Sequence, residues 1–261
     1  MLPETPPTPG ADGADEPEEG AVPVEDVLPE EEKIEFADLV LPALADVRSA
    51  LDWAFQGEEA TPEYLDRCAE HALIVLDGNR RMNLTKIVEA KEMAAKHYLD
   101  SWRTTRLLPL MGRTVVDLGS GGGFPGVPLA LAEPNAKVML LESIQKKAEF
   151  LAESLTRMKL KNCTAVHARA EDYLIRNHVD VVVVRAVSSV RENVRLLRKV
   201  RHSLRDLVMM KGPSWAREVR AGEREAERLG FRLDTVWEHK LPGEQGDRAV
   251  LVYRAPGGQG R

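Results

Sequence analysis

The stretch VVDLGSGGGFPGVPLALAEPNAKVMLLES, from Val115 to Ser143, constrains the fold more than any other part of the chain. An apolar run ends at Asp117 and meets a burst of glycines; a helical pattern follows, then a second apolar run that ends at Glu142. A strand–glycine loop–helix–strand unit of this kind cradles a nucleotide-like ligand. Further strands are expected at 114–118, 137–142, 163–167, 179–184, 206–211, 232–238 and 248–253, with helices at 125–133, 145–160, 190–204 and 214–229. This alternation predicts an α/β fold with a mainly parallel sheet covered by helices on both faces. The closing FRLDTVWEHKLPGEQGDRAVLVY joins two strands through a glycine-bearing loop without a helix, so the sheet should end in a hairpin at one edge. Seven strands with a terminal hairpin differ from the usual six-strand dinucleotide arrangement.

Before the sheet, residues 36–111 read as a helical region. ADLVLPALADVRSALDWAF repeats its apolar residues at three- and four-residue steps, with Pro42 as a kink or boundary. A second helix should start where Thr61 can cap and Pro62 suits the first position. NRRMNLTKI reads as a polar turn and EMAAKHYLDSWRTTRLLPL as a third helix. The sheet domain is expected over 112–255, with a flexible end at 256–261. Residues 1–35 carry 12 acidic side chains, one lysine and seven of the 16 prolines, a composition that predicts disorder. From residue 36 on, 35 basic and 30 acidic side chains remain, a mildly basic body that suits a nucleic-acid partner. The N-terminus has neither the basic start nor the apolar stretch of a secretory signal, and no apolar run is long enough to cross a bilayer. Cys68 and Cys163 have no metal-ligand or disulfide spacing, as expected of free thiols in a reducing cytoplasm.

The ligand of the glycine loop follows from its neighbours. Gly121, Gly123 and Gly126 satisfy G-x-G-x-x-G, and Glu142 follows at the dinucleotide distance. Yet Asp117 at the strand end would repel a pyrophosphate, and Pro125 and Pro128 remove amide donors that a phosphate needs. Gly119, Gly121 and Gly123 also form a register of their own. S-adenosylmethionine answers each point: it has no phosphate, its sulfonium and ammonium are cationic, and glycines let the backbone approach it. Glu142 is placed either to accept from the ribose hydroxyls or to cap the following helix.

Six blocks then occur in one order: NLT (Asn83–Thr85), HYLDS (His97–Ser101), DLGSGGGFPGVP (Asp117–Pro128), LLES (Leu140–Ser143, followed by Lys146 and Lys147), RAE (Arg169–Glu171) and RAV (Arg185–Val187). The series resembles the glucose-inhibited division protein B family, the bacterial small-subunit rRNA methyltransferases G, over roughly residues 50 to 255. The resemblance implies a class I S-adenosylmethionine-dependent (Rossmann-like) methyltransferase acting on N7 of one guanine in a loop of 16S rRNA, free or within a small ribosomal subunit or its precursor. It implies cofactor contacts from Gly119, Gly121 and Phe124, from Glu142 to the ribose, and from Ala170 with Glu171 to the adenine. Arg185 would sit beside cofactor and target base as the catalytic residue. No metal, no membrane association and no oligomer are expected.

Other residues keep two readings each. His97 and Asp100, three apart on a helix, either pair as a buried histidine and carboxylate or form part of an RNA-facing or cofactor-closing surface. Asn83 and Thr85 read first as a helix cap or Asx turn. In SSVRENVRLLRKVRHSLRD the basic Arg191, Arg195, Arg198, His202 and Arg205 recur opposite Val194, Leu197 and Leu204, as a solvated face or as rRNA phosphate contacts. Arg80, Arg81 and Lys86 could extend such a surface. Two other functions compete: a nicotinamide-dependent oxidoreductase using the same glycines, and a non-catalytic RNA-binding or assembly protein.

Overall fold

The computed structural model describes residues 33–185 and 188–258. The expected disordered tail lies, up to residue 32, outside them, as do Ala186 and Val187 of the RAV block and residues 259–261.

Helix α1 spans Leu44–Ala54, starting two residues after Pro42, and α2 spans Pro62–Asn79. Thr61 caps α2 by accepting the Tyr64 N–H at 3.2 Å, and Pro62 takes the first position, where its missing amide costs nothing. The third expected helix is broken into α3 (Ala90–Met93), a π-helical turn Ala94–Leu99 and α4 (Asp100–Leu107). Periodicity at three- and four-residue steps does not reveal the extra residue that a π turn absorbs.

The sheet contains β1 (Thr114–Leu118), β2 (Lys137–Glu142), β3 (Cys163–His167), β4 (Val179–Arg185), β5 (Leu204–Lys211), β6 (Arg232–Lys240) and β7 (Asp247–Arg254). Between them run α5 (Gly126–Ala132), α6 (Gln145–Arg157), α7 (Ala170–Leu174), α8 (Val190–Leu196) and α9 (Trp215–Arg228). Strand order is β3-β2-β1-β4-β5-β7-β6, with β7 antiparallel to both β5 and β6 and all other pairings parallel. This is the class I methyltransferase sheet that the resemblance implied, hairpin included. One expected helix needs correction, and one short helix was not foreseen. Helix α8 ends at Leu196 and a short 3-10 turn, Leu197–Lys199, follows, because Leu204 is already in register with Val179 as the first residue of β5. The short α7 had no periodic signal at five residues.

Alternation along the strands builds two cores. Val115, Val138, Leu140, Val181 and Val183 face α5, α6 and the N-terminal helices. Val116, Leu118, Leu141, Val182 and Val184 face α7, α8 and α9. Helices α1 and α2 thus share a core with the sheet, and from Ile34 on the chain folds as one compact unit. Cys68 and Cys163 are free and buried. Among the described residues, no helix is long and apolar enough to cross a membrane.

Candidate active site

The crevice is set by topology. Strand order reverses between β1 and β4, and in open α/β sheets the ligand lies at such a switch point, beyond the carboxyl ends of the strands. Leu118, opposite Leu141 and Val184, brings the ends of β1, β2 and β4 together, so Gly119, Glu142 and Arg185 emerge side by side.

The glycine loop leaves β1 through Gly119 and Gly121 at φ of +73° and +53°, a left-handed conformation that side chains resist. Glu142 is tied to the loop: Oε2 accepts the Gly121 N–H at 3.2 Å and Oε1 the Ile144 N–H at 3.0 Å. Ile144 is the residue before α6, so the capping reading of Glu142 is realised, and each oxygen still has a lone pair for a hydroxyl. Asp117 is fully buried; Oδ2 accepts the Gly126 N–H at 2.8 Å, while Oδ1 has no partner among the described residues. Burial pushes the Asp117 carboxyl up to about 7, against the Gly126 amide and Ser120 hydroxyl that pull it down. A pyrophosphate is therefore opposed less by repulsion than by the loss of donors. Asp117 occupies the first amide of α5, and Pro128 in the same turn has none to offer.

Arg185 points toward the N-terminal helices. Its Nη1 donates to the Lys96 carbonyl at 2.9 Å and lies 2.6 Å from His97 Nδ1. The guanidinium stands over the Phe124 ring, 5.3 Å from its centroid. Among the described residues Arg185 makes no ion pair with Asp117 or Glu171; the π turn presents an imidazole and a carbonyl to it instead. Nε of Arg185 has no partner among the described residues. Burial lowers its pKa, partly offset by the charges of Asp100 and Asp117.

Phe124, expected against the cofactor, is 3% exposed; its ring stacks on His97 at 4.2 Å and meets His71 and Tyr98 edge-on at 5.0 and 5.2 Å. His71 of α2 lies 3.0 Å from the Tyr98 hydroxyl. Burial drives His71 down to about 3 and His97 well below its usual range, the latter aided by the Arg185 charge, so both rings are neutral at pH 7.

His97 and Asp100, which the sequence offered as a pair, do not meet. His97 contacts Thr85 Oγ1 at 2.9 Å, and Asp100 Oδ1 contacts His239 Nε2 at 2.9 Å, with Arg248 Nε 3.7 Å from Oδ2. Both are 3% exposed, so neither offers its polar atoms to a passing RNA in this arrangement. The chain reverses direction in the NLT turn through Asn79, whose Oδ1 accepts the N–H groups of Leu84 and Thr85. Asn83 accepts the Glu35 N–H at 3.0 Å. Thr85 forms the turn, accepting the Ile87 N–H. Ala170 is buried as the first residue of α7, and Glu171 beside it is half-buried. Arg191 and Arg195 are exposed on α8, the latter 3.3 Å from Glu225. His71, His239 and Arg248 had no local sequence signal, since each meets its partner across at least 27 residues.

Comparison with known proteins agrees with this geometry. The profile of the family described as rRNA small subunit methyltransferase G matches residues 66–245. A ribosomal RNA small subunit methyltransferase G from Solibacter usitatus is 35% identical over 189 residues, 71% of this chain and 88% of that protein. Its namesake from Pelotomaculum thermopropionicum is 33% identical over 202 residues, 76% and 84% of the two chains. Among solved structures, a mutant of MtNAS at 15% identity covers 82% of this chain and 87% of its own with a TM-score of 0.51, a likeness of fold alone. By sheet order, glycine loop and kinship together, the chain belongs to the rRNA small subunit methyltransferase G family of S-adenosylmethionine-dependent enzymes.

Proposed function

We propose that this enzyme methylates N7 of one guanine in 16S rRNA, in the cytoplasm, on free RNA or on a small ribosomal subunit or precursor. One juxtaposition carries the reading: a phosphate-averse glycine loop, Glu142 and the Arg185–His97 pair share the carboxyl end of the sheet. The residues fit S-adenosylmethionine. Gly119 and Gly121 open the backbone to it, and Glu142 keeps lone pairs for the ribose hydroxyls. Ala170 and Glu171, at the start of α7, are assigned to the adenine.

When bound, the cofactor supplies an electrophilic methyl on a sulfonium that leaves as a neutral thioether. Guanine N7 holds an in-plane lone pair and no proton, so no general base is required. The protein's task is alignment, and positioning alone can remove about 7–11 kcal/mol of barrier. Arg185 is the catalytic residue in this reading: held by Lys96 O and His97 through Nη1, it keeps Nε free to orient the methionine carboxylate or the guanine.

The test is mass mapping of methylated guanines in rRNA from a deletion strain and its parent. Loss of one 7-methylguanine in 16S rRNA is expected, and an unchanged map overturns the reading. Titration with S-adenosylmethionine and with NAD separates it from an oxidoreductase, and a single-turnover assay separates it from a non-catalytic RNA-binding protein.

A further inference from the structure

Helix α9 has an unusual outer face. Arg217, Arg220, Arg224 and Arg228 succeed one another at steps of three, four and four, so they share one side of the helix, opposite the buried Gly222 and Ala226. All four are exposed. A solvated helix face ordinarily alternates sign at these spacings, because like charges one turn apart repel. Here the acidic residues of the helix are turned aside or used up. Glu218 is engaged by Lys211 at 2.9 Å, and Glu225 by Arg195 and Arg228 at 3.3 and 2.6 Å. Glu223 and Glu227, exposed and three residues beyond Arg220 and Arg224, border one edge of the stripe toward β6 without an ion pair to it among the described residues. Arg217, Arg220 and Arg224 are left without an ion pair among the described residues, a repulsion that the packing of α9 does not require.

This face is directed by the fold. The polypeptide enters α8 shortly after Arg185 ends β4, and enters α9 shortly after Lys211 ends β5. The first turns of both helices therefore stand at the rim of the crevice. Lys211 fastens these first turns together, donating to the Ser188 carbonyl and pairing with Glu218. Gly222 lets α8 and α9 approach, since an added Cβ would come within 2.9 Å of Val190. From Arg217 at the rim, the stripe runs away from the crevice for about 16 Å, at 1.5 Å per residue.

We propose that this arginine stripe of α9 docks the phosphate backbone of the RNA that flanks the base held in the crevice. The inference rests on the RNA reading above and adds the face on which the RNA lies. Phosphates placed along the stripe remove the repulsion and release their counterions, so the contact supplies affinity and orientation without reading sequence. A positive row leading outward from the rim fits a partner that enters the crevice at one nucleotide and continues past it.

The test uses the full chain with Arg217, Arg220 and Arg224 changed together to Gln, and a second variant with all three changed to Lys. Binding to 16S rRNA is measured as a function of salt. The wild type must bind and methylate rRNA; if it does neither, the function itself is wrong and not merely the face. For the Gln variant, melting temperature and S-adenosylmethionine affinity should be unchanged. Its RNA affinity should fall roughly tenfold or more at moderate salt, with the slope of log K against log salt shallower by about two to three. The Lys variant should restore that slope, because phosphate needs the charge and not the planar fork. Unchanged RNA affinity and slope in a folded Gln variant overturn the proposal. So does a defect seen on a ribosomal particle but not on naked rRNA, which would assign the face to a protein partner.

Discussion

Nη1 of Arg185 lies 2.6 Å from Nδ1 of His97. A guanidinium can only donate, so Nδ1 is the lone-pair nitrogen of this imidazole and Nε2 carries the proton. That proton goes to Thr85 Oγ1 at 2.9 Å. Three of the six sequence blocks, NLT, HYLDS and RAV, thus meet in one chain of hydrogen bonds: Arg185 to His97 to Thr85. The catalytic reading of Arg185 requires this arrangement, because a neutral His97 holds the cation without competing for its charge.

Arg185→Lys retains charge and loses the planar fork, whose Nη1 is held by the Lys96 carbonyl and His97 while Nε stays unpartnered. The variant should fold, bind S-adenosylmethionine, and methylate rRNA about 100-fold or more slowly in single turnover. His97→Ala should slow the same step, and the double variant should be little worse than Arg185→Lys alone, since residues acting as a unit are non-additive. A near-wild-type single-turnover rate for Arg185→Lys rejects the role, and strictly additive losses reject the coupling.

Glu142→Gln keeps the side-chain shape and one acceptor for the Gly121 and Ile144 amides but removes the charge. S-adenosylmethionine affinity, measured by titration, should fall by about 1.5–3 kcal/mol, the range for a charged acceptor lost from hydroxyl donors. Full affinity in the folded variant leaves Glu142 with its capping duty only.

Asp117 links pH to stability. Its folded pKa, raised to about 7 by burial, lies above the unfolded carboxylate range near 4, so the folded state binds the extra proton between these values. Its contribution is fully present below about pH 4 and is lost as pH rises through 7, on the order of 4 kcal/mol. His71, lowered to about 3, acts oppositely in nearly the same window: its contribution is present above pH 6.5 and lost as pH falls toward 3. His97, held well below its usual range by burial, adds to the His71 loss at low pH, so the raw profile masks the carboxylate and the difference from Asp117→Asn should expose it. The Asn variant should gain on the wild type from about pH 4 to 7.5 in denaturant melts of the cofactor-free protein. A constant difference across that range contradicts the buried, proton-holding Asp117.

Asp100 belongs to the HYLDS block yet contacts the terminal hairpin, through His239 and Arg248. Asp100→Ala leaves those two groups facing an empty site and should cost about 3–5 kcal/mol of stability, typical for breaking a buried charged contact. Unfolding in urea measures it. A loss below about 1 kcal/mol with abolished methylation would instead place Asp100 in the chemistry.

Much of this protein was determined by local sequence. Strand and helix periods, Thr61 before Pro62, and the glycines after Asp117 act within a few residues of themselves, and so do the strand ends that bring Glu142 and Arg185 to one crevice. These follow from backbone sterics, side-chain alternation and the hand of parallel crossovers. The tertiary structure alone decided what those side chains touch. HYLDS reads as ordinary helix, but its π turn sends His97 to Arg185 and Asp100 to His239, separating two residues whose spacing implied a pair. Phe124 reads as a cofactor contact but is buried among rings from α2 and the π turn. Asp117 reads as a strand-end carboxylate that would repel a pyrophosphate, but it is buried and bonded to the Gly126 amide. Each outcome depends on partners tens of residues away, and on burial that exists only once the N-terminal helices close over the sheet, so no local pattern encodes it.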